Sequence, residues 1–144
     1  MNRRLTGVST LLILWLSLGV AACGGGESKE EEGEEAKVAC SGTPLSSVKL
    51  PSGFPKPDGV TYTTQKTAGP TQIVDGYYEG DLQDAYDDYK SGFESAGYDV
   101  LFDEIEEHDS EVSYRGGMRT GQVALRENCE QEGRISVHIT SRPA

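Results

Sequence analysis

The chain has 144 residues, enough for one small domain. Its 24 acidic and 13 basic side chains leave a formal net charge of -11, a surface that repels phosphate backbones and speaks against nucleic acid as a partner. With three cysteines and two histidines there is little material for a zinc centre.

Residues 1–6 carry Arg3 and Arg4, and an apolar run, Leu11–Val20, follows before a set of small residues. Charge, apolar run and small residues in that order are what export recognition requires. As a helix the ten-residue run is about 15 Å long, half a bilayer core, so it spans only marginally. Val20-Ala21-Ala22-Cys23 then closes the run and resembles the lipobox of bacterial lipoproteins.

That resemblance covers the leader alone. It implies that residues 1–22 are a signal peptide and that Cys23, bearing a thioether-linked diacylglycerol (palmitate-type chains), becomes the first mature residue. It also implies a cell-envelope protein held on the extracytoplasmic face of a membrane. Each buried methylene contributes about 0.8 kcal/mol, and two acyl chains hold where one is reversible. An ordinary secretory leader or an uncleaved anchor is the alternative.

Residues 23–37 read as the lipidated cysteine and an acidic, disordered linker. Glycines loosen it, clustered glutamates extend it, and its coil reach is about 20 Å. With Cys23 lipidated, Cys40 and Cys129 remain as a pair in an oxidising compartment, where a disulfide is expected.

Residues 38–144 form the expected domain. The prolines of Leu50–Gly59 exclude a helix or a central strand there, and Leu50 and Phe54 are candidates to touch the core. Val60–Thr67 and Gln72–Glu79 read as paired strands around Gly69-Pro70. Asp81 then suits an N-cap, and Leu82, Ala85, Tyr86, Tyr89, Phe93 and Ala96 recur at helical spacing up to Gly97. Lys90 and Glu94 stand as an i,i+4 pair.

Tyr98–Glu106 and Glu111–Arg115 read as strands either side of a turn at 107–110. Gly116–Gly121 is expected as a glycine-rich connection. Gln122–Asn128 and Arg134–Thr140 close the domain as a hairpin. There Val123 and Leu125 face Ile135, Val137 and Ile139, with Arg126, Ser136, His138 and Thr140 outward. The predicted class is α+β, in the order β-β-α-β-β-β-β: one amphipathic helix on one face of an antiparallel sheet, stapled by one disulfide.

The stretch Asp103–Glu111 gathers acids around His108 and invites a metal or acid-base reading. It lacks the central glycine and spacing of a calcium loop, and zinc would need further ligands beyond His138. A solvated turn is the plainer expectation. Ser110, His138 and Asp109 make a triad on paper, without a motif to support it. No cofactor or metal is expected. Tyr62 and Tyr78 are expected as an exposed pair, and Arg115, Arg119, Arg126 and Arg134 as a basic patch or as cross-strand partners of carboxylates.

These features point to a non-catalytic binding or scaffolding domain, tethered to the membrane through Cys23, that meets an envelope protein or a small ligand. Two alternatives stay open: a metal-dependent or acid-base hydrolase built on His108 and the neighbouring acids, and an extracytoplasmic small-ligand carrier.

Overall fold

The computed structural model describes residues 36–144, so the leader, the Val20–Cys23 motif and most of the expected linker lie outside the described residues. Strict alternation of buried and open positions draws the strands. In the last of them Ile135, Val137, Ile139 and Ser141 are buried while their neighbours are not. The chain runs β1 (Val60–Ala68), β2 (Thr71–Glu79), α1 (Leu82–Ser95), β3 (Asp99–Ile105), β4 (Asp109–Gly116), β5 (Arg119–Arg126) and β6 (Arg134–Pro143).

All six strands form one sheet, and every neighbouring pair is antiparallel. Their spatial order, β1-β2-β6-β5-β4-β3, differs from their order along the chain. Strands β2 and β3 therefore run in the same direction with three strands between them. Such a pair needs a long crossover, and α1 supplies it. The helix lies on one face and buries Leu82, Ala85, Tyr86, Tyr89 and Phe93 against it. Among the described residues no helix is long and apolar enough to cross a membrane.

Both ends of α1 are fixed locally. The Asp81 side chain accepts from the Asp84 N–H at 2.8 Å, satisfying one free donor of the first turn. At the other end Gly97, with φ at 77°, turns the chain back. The Gly97 N–H then donates to Glu94 O and the Tyr98 N–H to Phe93 O, a Schellman closure. Its apolar contact is present as well, with the Phe93 and Tyr98 rings 5.5 Å apart.

Phe93 stacks on Tyr114 at 4.7 Å, and Phe54 meets both rings edge-on. The proline-rich lead-in thus crosses the core beside the helix, with Leu50 and Phe54 partly buried against it. On the opposite face Cys40, Cys129 and Tyr77 form a small separate cluster. The Cys40–Cys129 disulfide bridges 89 positions of sequence, with its Cα atoms 5.3 Å apart.

Four expectations are corrected. Tyr62 and Tyr78 are buried, not exposed, because both stand on the helix side of their strands. The Tyr62 hydroxyl lies 3.1 Å from that of Tyr89, and the Tyr78 hydroxyl donates to Asp88 at 2.9 Å. Burial pushes both phenols up to about 12, with hydrogen bonding to the Asp88 carboxylate adding to the effect at Tyr78. Lys90 does not turn to Glu94; its ammonium reaches Asp103 on β3 at 2.7 Å, a partner far away in sequence. Gly116–Gly121 is not a loop, since Gly117 and Met118 alone make the turn between Gly116 and Arg119.

The fourth correction concerns the arginines, which do not make one patch. Arg115 and Arg119 flank that turn, whereas Arg126 ends β5 and Arg134 begins β6 at the opposite end of the sheet. Arg134 lies 4.1 Å over the Tyr77 ring and donates to Glu79 and to the Cys40 carbonyl.

Candidate functional site

A sheet covered on one side by a helix has its other side to account for. Across the middle of that side one register row runs through every strand: Thr64, Asp75, His138, Ala124, Glu111 and Glu104. Side chains in register share a face, so this row forms a continuous polar line interrupted by the methyl group of Ala124.

Below the row the segment Val38–Ser41 crosses the face as a strap. Val38 bridges to Cys129 in parallel sense, and the disulfide fixes Cys40 two residues on. Between strap and row lies a hollow of about 660 Å³, lined among others by Ala39, Asp75, Ala124, Asn128, Ser136 and His138. That is the size of a small-ligand site, but this one is shallow and open to solvent. A second hollow of about 570 Å³ adjoins it through Gln122 and reaches Leu101, Phe102 and Arg142.

Charge along the row is uneven. Asp75 is well engaged: His138 Nδ1 lies 2.5 Å away, Thr64 Oγ1 donates at 3.0 Å and Lys66 Nζ stands at 3.9 Å. Glu111 and Glu104 face each other in register across β4 and β3, and neither has a hydrogen bond or ion pair among the described residues. Two like charges directly opposite are unfavourable, so this end of the row favours an incoming positive charge.

Among the described residues the arrangement supplies one half of an acid-base device. Asp75 orients His138, but among the described residues no hydroxyl or thiol is hydrogen-bonded to its other ring nitrogen, as an activated nucleophile requires. The Ser136 hydroxyl instead donates to Asn128 Oδ1 at 2.7 Å.

The residues singled out from sequence fall elsewhere. His108 sits on the exposed β3–β4 turn, with Nδ1 3.0 Å from Glu127 and Nε2 3.8 Å from Glu107. Ser110 is fully buried on the helix side, in register with Leu125, whereas His138 points to the open side, so the paper triad is not assembled. Among the described residues no three His, Cys, Asp or Glu side chains are placed to hold a metal. The alternation rule placed His138 outward, but it carried no sign of Asp75, 63 residues away.

No protein-family model, no curated protein and no solved structure matches the chain.

Proposed function

We propose that the chain is a lipid-anchored binding module of the bacterial cell envelope and that it binds through the open face of its sheet. One observation carries the binding part: the hollow of about 660 Å³ between the strap and the Asp75–His138 row, left uncovered by the other described residues. The anchoring part rests on Val20-Ala21-Ala22-Cys23. The Cys40–Cys129 bridge accords with an oxidising compartment beyond the cytoplasmic membrane.

Two substitutions test the two parts separately. Cys23→Ser moves the protein from the membrane fraction to the aqueous phase; retention in membranes removes the anchor. Ala124→Trp fills the floor of the hollow without touching the helix-side core. It abolishes cross-linking to envelope neighbours while the fold persists, whereas His108→Ala leaves the cross-links in place. Unchanged cross-linking in Ala124→Trp contradicts binding at this face.

A further inference from the structure

Building on the binding-module reading, we infer that the occupant of the open face is an extended, basic polypeptide segment. It lies across the strands, bonds through its backbone to the free edge of the Val38–Ser41 strap, and sets a Lys or Arg side chain on Glu111 and Glu104.

The strap shows which of its edges is used. The Val38 N–H donates to Asn128 O at 2.7 Å, and its carbonyl accepts from Glu130 N–H at 2.8 Å. The Cys40 N–H donates to Gln131 Oε1 at 2.8 Å, and its carbonyl accepts from Arg134 at 2.7 Å. Alternate residues are therefore satisfied from the β5–β6 side, as along one edge of a strand. In an extended chain the residues between them turn their N–H and C=O groups the other way. Those residues are Ala39 and Ser41. Both line the hollow, and no hydrogen bond reaches their backbone groups among the described residues. An unpaired extended edge is a template for another chain, and strand addition of this kind draws its affinity from main-chain hydrogen bonds.

The row beside the strap has the right length. It crosses six strands, and five spacings of about 4.8 Å make about 24 Å, the span of about seven extended residues. Ala124 lowers the floor midway, where a bulky side chain would lift a peptide off the sheet.

Charge selects the occupant. Glu111 and Glu104 face each other without an ion pair among the described residues, sit at one end of the row and gain from a cation between them. The glutamate-rich stretch Glu27–Glu35 of this chain has the wrong sign, and a second copy carries the same net charge of -11. A partner segment bearing Lys or Arg satisfies both the charge and the free backbone edge.

The test is a titration of the full chain in detergent micelles, followed by amide NMR shifts. The probe is an acetylated heptapeptide of alternating Thr and Lys, set against its Thr/Glu counterpart and against versions N-methylated in each of the two alternating registers. The Thr/Lys peptide shifts the Ala39 and Ser41 amides, and the Thr/Glu peptide binds at least about tenfold more weakly. N-methylation in one register, which removes the paired donors, lowers affinity about tenfold. Glu104→Gln combined with Glu111→Gln weakens the Thr/Lys peptide several-fold while leaving the fold intact.

The inference is overturned if both N-methylated registers bind as well as the parent, or if the two charge types bind alike. It also falls if shifts stay confined to Glu104 and Glu111, or if deleting Glu27–Glu35 moves the Ala39 and Ser41 amides, which would make that stretch the occupant. Loss of envelope cross-links in Ala124→Trp, with Ala39 and Ser41 unmoved by the peptide, keeps the binding module and rejects the peptide.

Discussion

Met118 is the one non-glycine residue with positive φ among the described residues, at 61°, next to Gly117 at 57°. Positive φ at both central positions marks a two-residue hairpin turn of type I′, whose twist matches the flanking strands. Gly117 takes it without strain, but Met118 does not, and its side chain is 90% exposed with no packing to compensate. Met118→Gly therefore stabilises the domain by about 0.5 to 1 kcal/mol, since relief of the left-handed strain outweighs the extra freedom of the unfolded chain. Thermal unfolding should move up by a few degrees; an unchanged or lower midpoint would contradict the turn assignment. Gly121 is the reverse case. A Cβ there would lie 1.9 Å from Thr140 O and 2.8 Å from the Tyr114 hydroxyl. That hydroxyl uses the gap to donate to Thr140 O at 3.0 Å. Gly121→Ala should therefore destabilise the domain by more than about 1 kcal/mol, seen as a lower denaturant midpoint. In sequence the glycines of 116–121 look alike, and only the pairing of Gly116 with Arg119 separates turn glycine from strand glycine. The same limit misplaced Tyr62 and Tyr78: a period of two sorts residues into two faces without saying which face meets the helix.

Among the elements, α1 was the most legible, because cap, apolar stripe and terminating glycine all lie within one stretch of chain. What the stretch did not contain was the partner of Lys90. On the folded molecule Lys90 and Tyr86, one helical turn apart, both hydrogen-bond to Asp103 and tie the helix to the edge strand β3. The Lys90 ammonium, and after it the Tyr86 hydroxyl, hold the Asp103 carboxyl below its ordinary range. A depressed folded value means that the carboxylate form favours the native state. Its contribution is complete above the unfolded value of about 4 and is lost as pH falls through the folded value. Asp103→Asn should therefore unfold at a lower temperature than the parent near neutral pH, with the two converging as pH drops below about 4. A gap of constant size down to about pH 2 would show that Asp103 acts through shape and not charge. The effect is small at neutral pH, because the pair is partly open to solvent.

For the whole molecule, sequence supplied the two layers and left the sheet order open. Local signals fix hairpins such as β1–β2, yet nothing local says that β6 inserts beside β2, because that contact depends on which edges remain free after the hairpins form. The strap was hidden for the same reason: Val38–Ser41 has no periodic pattern, and only the Cys40–Cys129 bond shows where it lies. That bond closes a loop of 89 positions, and the chain-entropy account gives about 4 to 5 kcal/mol for a loop of such length. Small domains hold about 5 to 15 kcal/mol in total, so the bond is a large share of the whole. Its location decides how the loss appears. The strap packs on Tyr77 and Cys129, whereas the main core lies on the opposite face under the helix. Replacing both cysteines with serine should thus lower the denaturant midpoint sharply and steepen the transition, since the unfolded chain, freed of the cross-link, expands and exposes more surface. Hydrogen exchange should show a second, local effect: the Val38 and Cys40 amides lose protection well before those of β5 and β6. If strap and sheet amides instead exchange together in the serine variant, the strap is held by packing alone. The preformed edge at Ala39 and Ser41 would then not depend on the disulfide.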